Sequence, residues 1–424
     1  MTRPEARRRV PSGEARRAAL TRLRSKTHKT ACPSWAGKES PLQSPEIAQL
    51  AEDNGAAPET QPERAASPVR LPVERRLTTP ESLIESGLAE PERLAEMRAV
   101  AERYAIGVTP ALAALTEGSG SGDPIARQFL PDARELVRDP AEADDPIGDE
   151  ARSPIKGLVH RYPDRVLIKL VVVCAVYCRF CFRREKVGPG SPSLTDEEFA
   201  AALDYIRDRP AIWEVILTGG DPLALSPRRL AKVTAALASI DHVKVIRWHT
   251  RLPVAEPERI TTAMARALVA EGKTSVVAVH ANHPRELTKE ARAACRRLAA
   301  QGAMLVSQTV LLRGVNDDVA TLEALMRALV ETGVKPYYLH HPDLAPGTAH
   351  FRLPVEEGQA LVQALRGRLS GLAMPAYVLD IPGGYGKVAI SPPSIRRGER
   401  GGYRIRDAHG VEHPYDDRPA GPRC

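Results

Sequence analysis

From about residue 160 onward the chain alternates short apolar runs with longer stretches of helical periodicity, and this alternation limits its possible folds more than any other feature. The runs are Val166–Val172, Glu214–Leu217, Val243–Trp248, Ser275–Val279, Met304–Leu311 and Pro336–Leu339. Helix-like stretches follow at Thr195–Arg207, Ser226–Ala238, Pro257–Ala270, Glu286–Gln301, Ala320–Thr332 and Val355–Arg368. A strand that returns to the same sheet through a helix runs parallel to its predecessor, with a right-handed crossover. Strands buried under helices read as continuous apolar runs, as these do. Six such units fall two short of a closed eight-stranded barrel. The expected fold is therefore α/β, a partial (βα)6 TIM-like barrel whose site lies at the C-terminal ends of the strands.

The rest of the chain divides around that series. Residues 1–78 are rich in proline and have one aromatic side chain, Trp35, so they read as a disordered tail that cannot bury enough apolar surface to offset its ordering entropy. Thr79-Pro80-Glu81 is a helix start, with an N-cap, an N1 proline and an early acid. It opens a helical N-terminal region over 79–159, interrupted by a Gly-Ser link at 118–123. The barrel is expected over 160–372 and a C-terminal segment over 373–424.

Charge follows the same division. The 424 residues carry 60 Lys and Arg against 53 Asp and Glu, a formal net charge of +7. Residues 1–40 alone hold eleven basic and three acidic side chains, so the remainder is close to neutral. A basic body that follows a phosphate backbone is excluded, and no nucleic-acid partner is expected. The most apolar run, Val166–Tyr177, is broken by Lys169 and too short to span a bilayer. No membrane partner is expected either, and the expected location is cytoplasmic.

Six cysteines are too few for a disulfide scaffold, and three of them cluster as Cys174-x3-Cys178-x2-Cys181 just past the first predicted strand. Three thiolates on one tight loop can hold three irons of a [4Fe–4S] cube and leave the fourth iron open. A structural zinc site would want four ligands, commonly two C-x2-C pairs, and no second pair exists. The cluster at this place in a βα series, together with Thr218-Gly219-Gly220-Asp221-Pro222 after the second strand, resembles the radical S-adenosylmethionine (SAM) superfamily. Glycines there permit close backbone approach.

Further blocks narrow the resemblance. His160-Arg161-Tyr162-Pro163-Asp164-Arg165 precedes the first predicted strand, and Asp380-Ile-Pro-Gly-Gly-Tyr-Gly386-Lys387 comes far downstream. From about 80 to 395 the chain is similar to the lysine 2,3-aminomutase family, which is radical SAM and pyridoxal phosphate dependent. The resemblance implies three cofactors: the [4Fe–4S] cluster on Cys174, Cys178 and Cys181, SAM, and pyridoxal phosphate on Lys387 as Schiff-base lysine. It assigns Arg161, Tyr162 and Arg165 to the phosphate, and Arg183 to the substrate carboxylate. Gly219, Gly220, Asp221, His280 and Gln308, with the Asn282-His283-Pro284 turn, are assigned to SAM.

Asp343 and Asp380 match the two aspartates that lysine-specific members place around the substrate ε-ammonium. Two nearby anions need a cation between them, and a buried ammonium needs paired charge. The implied activity is interconversion of L-lysine and β-lysine, a 1,2-amino shift on the pyridoxal phosphate Schiff base started by a 5′-deoxyadenosyl radical. The alternatives are a relative supplying β-lysine for elongation factor P, or one acting on another amino acid such as glutamate. Implied partners are an electron donor such as flavodoxin or ferredoxin and further copies of the chain. The C-terminal cysteine run that bridges subunits through zinc in some members is missing, and Phe180 and Phe182 flank the third cysteine where some members are more polar.

Overall fold

The computed structural model of the chain describes residues 73–116, 122–190, 193–398 and 402–417. The expected tail lies outside them up to residue 72, as does most of the link at 118–123. Order extends upstream of Thr79: Leu77 is buried and exchanges two 2.9 Å backbone hydrogen bonds with Val108.

Four short helices follow, α1 (Pro80–Glu85), α2 (Leu94–Arg103), α3 (Pro110–Leu115) and α4 (Pro124–Phe129). Three open on a capping side chain with proline at the first helical position. Thr79 accepts from the Ser82 N–H, Thr109 from Leu112 and Asp123 from Ile125. Their apolar faces close over Leu83, Met97, Leu112, Ile125 and Phe129, and Val176 of the cysteine loop is buried among them.

The barrel sheet has nine strands in sequential order: β1 (Leu158–Tyr162), β2 (Arg165–Val171), β3 (Glu214–Gly219), β4 (Val245–Thr250), β5 (Thr274–His280), β6 (Met304–Val310), β7 (Lys335–His340), β8 (Ala376–Ile381) and β9 (Gly386–Ala389). Strands β2 to β8 are parallel, while β1 and β9 pair antiparallel at the two edges. The six units read from the sequence are present. They are extended by a seventh parallel strand and two edge strands, and His160, Arg161 and Tyr162 form part of β1 rather than a lead-in to the first strand.

Helices α5 (Asp196–Arg207) and α6 (Pro227–Ala238) cover the outside. So do α9 (Lys289–Ala300), α10 (Val319–Glu331) and α11 (Val355–Arg366). Capping by Thr195, Ser226, Thr288 and Asp318 starts the first four. The single helix expected over 257–270 is broken. It comprises a 3-10 turn at Pro257–Arg259 and then α8 (Thr262–Ala267), because Thr261 accepts from the Met264 N–H and restarts the helix. A four-residue turn, α7 (Leu252–Ala255), precedes them. The core between sheet and helices is apolar, with Ile168, Leu217, Trp248, Val277, Leu298 and Leu329 fully buried. Burial of this kind is worth roughly 1.5–3 kcal/mol per large side chain. Beyond β9 a three-stranded antiparallel meander, β10 (Ile395–Arg397), β11 (Tyr403–Arg406) and β12 (Glu412–Tyr415), completes the described chain.

Candidate active site

A solvent-open cavity lies at the C-terminal ends of the parallel strands. Its wall brings together the three cysteines, Arg183, Gly219, Gly220, Asp221, His280, Gln308 and Asp343. The remaining sequence-predicted residues lie at the two sides of the sheet, Arg161 and Tyr162 on β1, Arg165 at the start of β2, Asp380 on β8 and Lys387 on β9.

Two buried ion clusters fix the cysteine loop. Glu135, with no solvent exposure, accepts from Arg179 at 2.5–3.0 Å and also from Arg184. Arg184 returns 2.7 Å to the Arg179 carbonyl and stacks on Tyr104. Arg251, just past β4, donates to the Cys178 sulfur at 3.5 Å and to Glu286 at 2.6 Å.

Burial pushes all three thiols up, Cys178 to about 11. Such thiols ionise when a metal takes them, because metal binding releases the proton. Among the described residues no three His, Cys, Asp or Glu groups converge to hold one metal ion. A mononuclear zinc site needs that convergence. A cubane places each thiolate on a different iron, and three cysteines spread around one cavity suit it.

The Gly219-Gly220 step is built for packing. Gly219 has φ 108°, and an added Cβ would stand 2.3 Å from the Val171 carbonyl oxygen; at Gly220 it would stand 2.3 Å from that of Val173. The glycines therefore seat the end of β3 against the start of the cysteine loop. The side chain of Asp221 accepts from Thr250 Oγ1, the Arg251 N–H and the Leu223 N–H.

Sequence reasoning missed two of three histidines on the cavity side. His249 on β4 and His340 on β7 join His280 on β5, and each has a buried Nε2 without a hydrogen-bond partner. Burial pushes His280 down to about 3 and the other two well below the usual histidine range, so all three imidazoles are neutral. His280 and Gln308 are cross-strand partners, which puts both side chains at one end of the cavity.

Asp149 was also missed. It accepts from Arg183 at 3.0 Å and from Arg161 at 3.2 Å, and Lys169 Nζ lies 3.9 Å away. Burial opposes its charge, but these cations outweigh burial and hold its carboxyl below the ordinary value. Arg161 reaches onward to Asp380 at 3.5 Å, and Asp380 binds the Lys387 ammonium. The charges form one chain: Arg183, Asp149, Arg161, Asp380, Lys387.

Arg161 donates to the Ile147 carbonyl and to Asp149, while Arg165 pairs with Asp164 and stacks 3.9 Å from the centre of the Tyr162 ring. Asp380 faces Lys387 and Arg161, so Asp343 is the aspartate left without a hydrogen-bond or ion-pair partner among the described residues. Burial first, and the Asp380 charge second, raise Asp343 to about 7.

Lys387 sits where a carbonyl cofactor could be anchored. Its backbone N–H donates to the Tyr162 hydroxyl at 2.6 Å, and its ammonium lies 5.7 Å from the centre of the Tyr338 ring. The buried Arg161 Nε and His340 Nε2 nearby lack partners and can meet polar atoms of a bound group.

The radical SAM superfamily model matches residues 168–326, and the model described as Lysine-2,3-aminomutase matches 362–415. An L-lysine 2,3-aminomutase from Clostridium subterminale is 39% identical over 310 residues, covering 73% of this chain and 74% of the relative. One from Methanococcus maripaludis is 40% identical over 298 residues, covering 70% and 69%. A glutamate 2,3-aminomutase from Clostridioides difficile is 34% identical over 324 residues, covering 76% of each. The strand-end cavity and its cysteine loop are those of a radical SAM enzyme. Within that superfamily the chain belongs to the lysine 2,3-aminomutase family, whose cofactors are a [4Fe–4S] cluster, SAM and pyridoxal phosphate.

Proposed function

We propose that this chain is an isomerase that interconverts L-lysine and β-lysine. The observation that carries the substrate reading is Asp343, a carboxylate without a partner, on the same cavity wall as the guanidinium of Arg183. A cation and an anion at one site suit a zwitterion with a second ammonium. A glutamate substrate would instead bring a third carboxylate toward Asp343 and Asp380, and like charges at that range repel.

Cys174, Cys178 and Cys181 would hold the cluster, and Lys387 would anchor pyridoxal phosphate, with Arg161, Tyr162 and Arg165 on the phosphate side. Reduced cluster and SAM supply a 5′-deoxyadenosyl radical, and pyridoxal phosphate supplies the π-system on which nitrogen migrates. The chain's own groups position and exclude. Arg183 takes the substrate carboxylate as a planar fork. Asp343 takes the ε-ammonium, with Asp380 beside it. His249, His280 and His340 stay neutral, so they offer donors and acceptors without adding charge. Gly219, Gly220, Asp221, His280 and Gln308 shape the SAM end. Fixing reactants in this way converts binding energy into orientation.

A one-electron donor of the flavodoxin or ferredoxin class is the proposed partner. No helix among the described residues is long and apolar enough to cross a membrane. The test is incubation without oxygen with lysine, SAM, pyridoxal phosphate and a reductant, followed by chromatography for β-lysine. Equal turnover of glutamate would defeat the substrate reading.

A further inference from the structure

Arg251 is buried at 6% exposure, and both Nη atoms of its guanidinium are engaged, while its buried Nε has no partner. One Nη donates to the Cys178 sulfur at 3.5 Å; the other donates to Glu286 at 2.6 Å and to Gln128 Oε1 at 2.8 Å. Its guanidinium carbon lies over the rings of Phe129 and Phe180, 5.0 and 5.4 Å from their centres. Its backbone N–H goes to Asp221 at 2.8 Å. Among the described residues this is the one side-chain N–H given to any of the three thiols.

Glu286 is itself pinned, because its other oxygen accepts the backbone N–H groups of Asn282 and His283, both at 2.9 Å. The Arg251 cation therefore cannot swing away from Cys178 without leaving Glu286 and Gln128. It lies on the sulfur side of the pair, with the carboxylate behind it.

We propose that Arg251 is a positioning residue that sets the reduction potential of the cluster through its N–H···S bond to Cys178, with Glu286 as its counterweight. This rests on the reading of the three cysteines as cluster ligands. Reduction adds one electron, supplied by an external one-electron donor, and no bond forms or breaks. The added negative charge spreads over irons and sulfurs, so a donor and a cation at a sulfur stabilise the reduced form and raise the potential. The guanidinium is buried beside two aromatic rings, where such a charge acts more strongly than in water. Glu286, one step further from the sulfur, acts with the opposite sign.

The test is an anaerobic redox titration of the reconstituted holoenzyme, followed by electron paramagnetic resonance. In Arg251→Gln the midpoint potential shifts to more negative values with the iron content held at about four per chain. In Glu286→Gln, which keeps the side-chain size and removes the counter-charge, it shifts to more positive values. Opposite shifts in the two variants support the proposal. Should Arg251→Gln lose its fold, the positive shift in Glu286→Gln decides alone. An unmoved potential in Glu286→Gln with full iron overturns it and leaves Arg251 a packing residue. If the unmutated protein takes up no iron, the cysteine reading itself fails, a different result from an unshifted potential.

Discussion

Asp380 and Lys387 are directly opposed across the antiparallel pair β8–β9, and the carboxylate of one binds the ammonium of the other. The pair places the lysine amine beside Tyr338, with the Tyr162 hydroxyl against the Lys387 backbone. Lys387→Ala should abolish the visible absorption of bound pyridoxal phosphate and all turnover. Among the described residues no hydrogen bond joins the cysteine loop to this hairpin, so iron binding should be unchanged. Spectrophotometry and an iron assay on the same preparation check both halves.

Asp343 gives a pH dependence of defined sign. Its carboxyl is raised from 3.8 to about 7, so its charge, needed to meet an ammonium, is lost as pH falls through 7. The KM for lysine should rise on going from pH 8 to 6, by up to about tenfold per unit. Asp343→Asn should flatten this profile and raise KM at pH 8 by about 10- to 100-fold, the weight of a charge-assisted hydrogen bond. SAM affinity should be unaffected.

The same raised value has a consequence for stability. The folded protein binds this proton more tightly than the unfolded chain. Its contribution is therefore present in full below about pH 4 and lost as pH rises through about 7. Asp343→Asn should raise the melting temperature at pH 8 more than at pH 5. Calorimetry without substrate at the two pH values measures the difference.

Asp149 holds two arginines that reach different parts of the site. Asp149→Asn leaves Arg183 and Arg161 buried without their shared carboxylate, a loss of about 3 kcal/mol by analogy with broken buried pairs. Denaturant unfolding should show that loss. Turnover should fall through a higher lysine KM as Arg183 loses its orientation.

Gly220→Ala tests the packing role of the glycine pair. The new Cβ would meet the Val173 carbonyl at 2.3 Å, and backbone on both sides leaves little room to yield. Overpacking of this kind costs about 1–3 kcal/mol. The displaced residue is next to Cys174, so bound iron should fall as well.

Much of this architecture could be read in the residues. Apolar runs gave β2 to β7 within a few positions, and the helices expected from Thr195 and Ser226 do start at those residues, whose capping is local hydrogen bonding between sequence neighbours. Strands β8 and β9 were not read, because no helix follows Ala376–Ile381 to continue the βα rhythm. Strand β1 was hidden for a related reason: its interest lay in charged residues, which do not announce a strand.

At the site, the cysteines stood out by spacing alone. Asp149 did not, since it is one acid among several between Glu142 and Glu150, and only the fold sets it between two arginines. His249 and His340 lie at the ends of strands and Arg251 just past one, all as ordinary polar residues, and their importance comes from what lies across the cavity.

The buried grip of Glu135 on Arg179 and Arg184 bears on how the chain could be divided. The acid comes from the helical N-terminal region, and both bases belong to the cysteine loop. A fragment beginning at the first barrel strand would leave two guanidiniums in the interior with no anion, a cost of several kcal/mol. The smallest piece able to assemble the iron site should therefore begin upstream of Glu135, and the segment that carries this acid counts as part of the metal-binding apparatus.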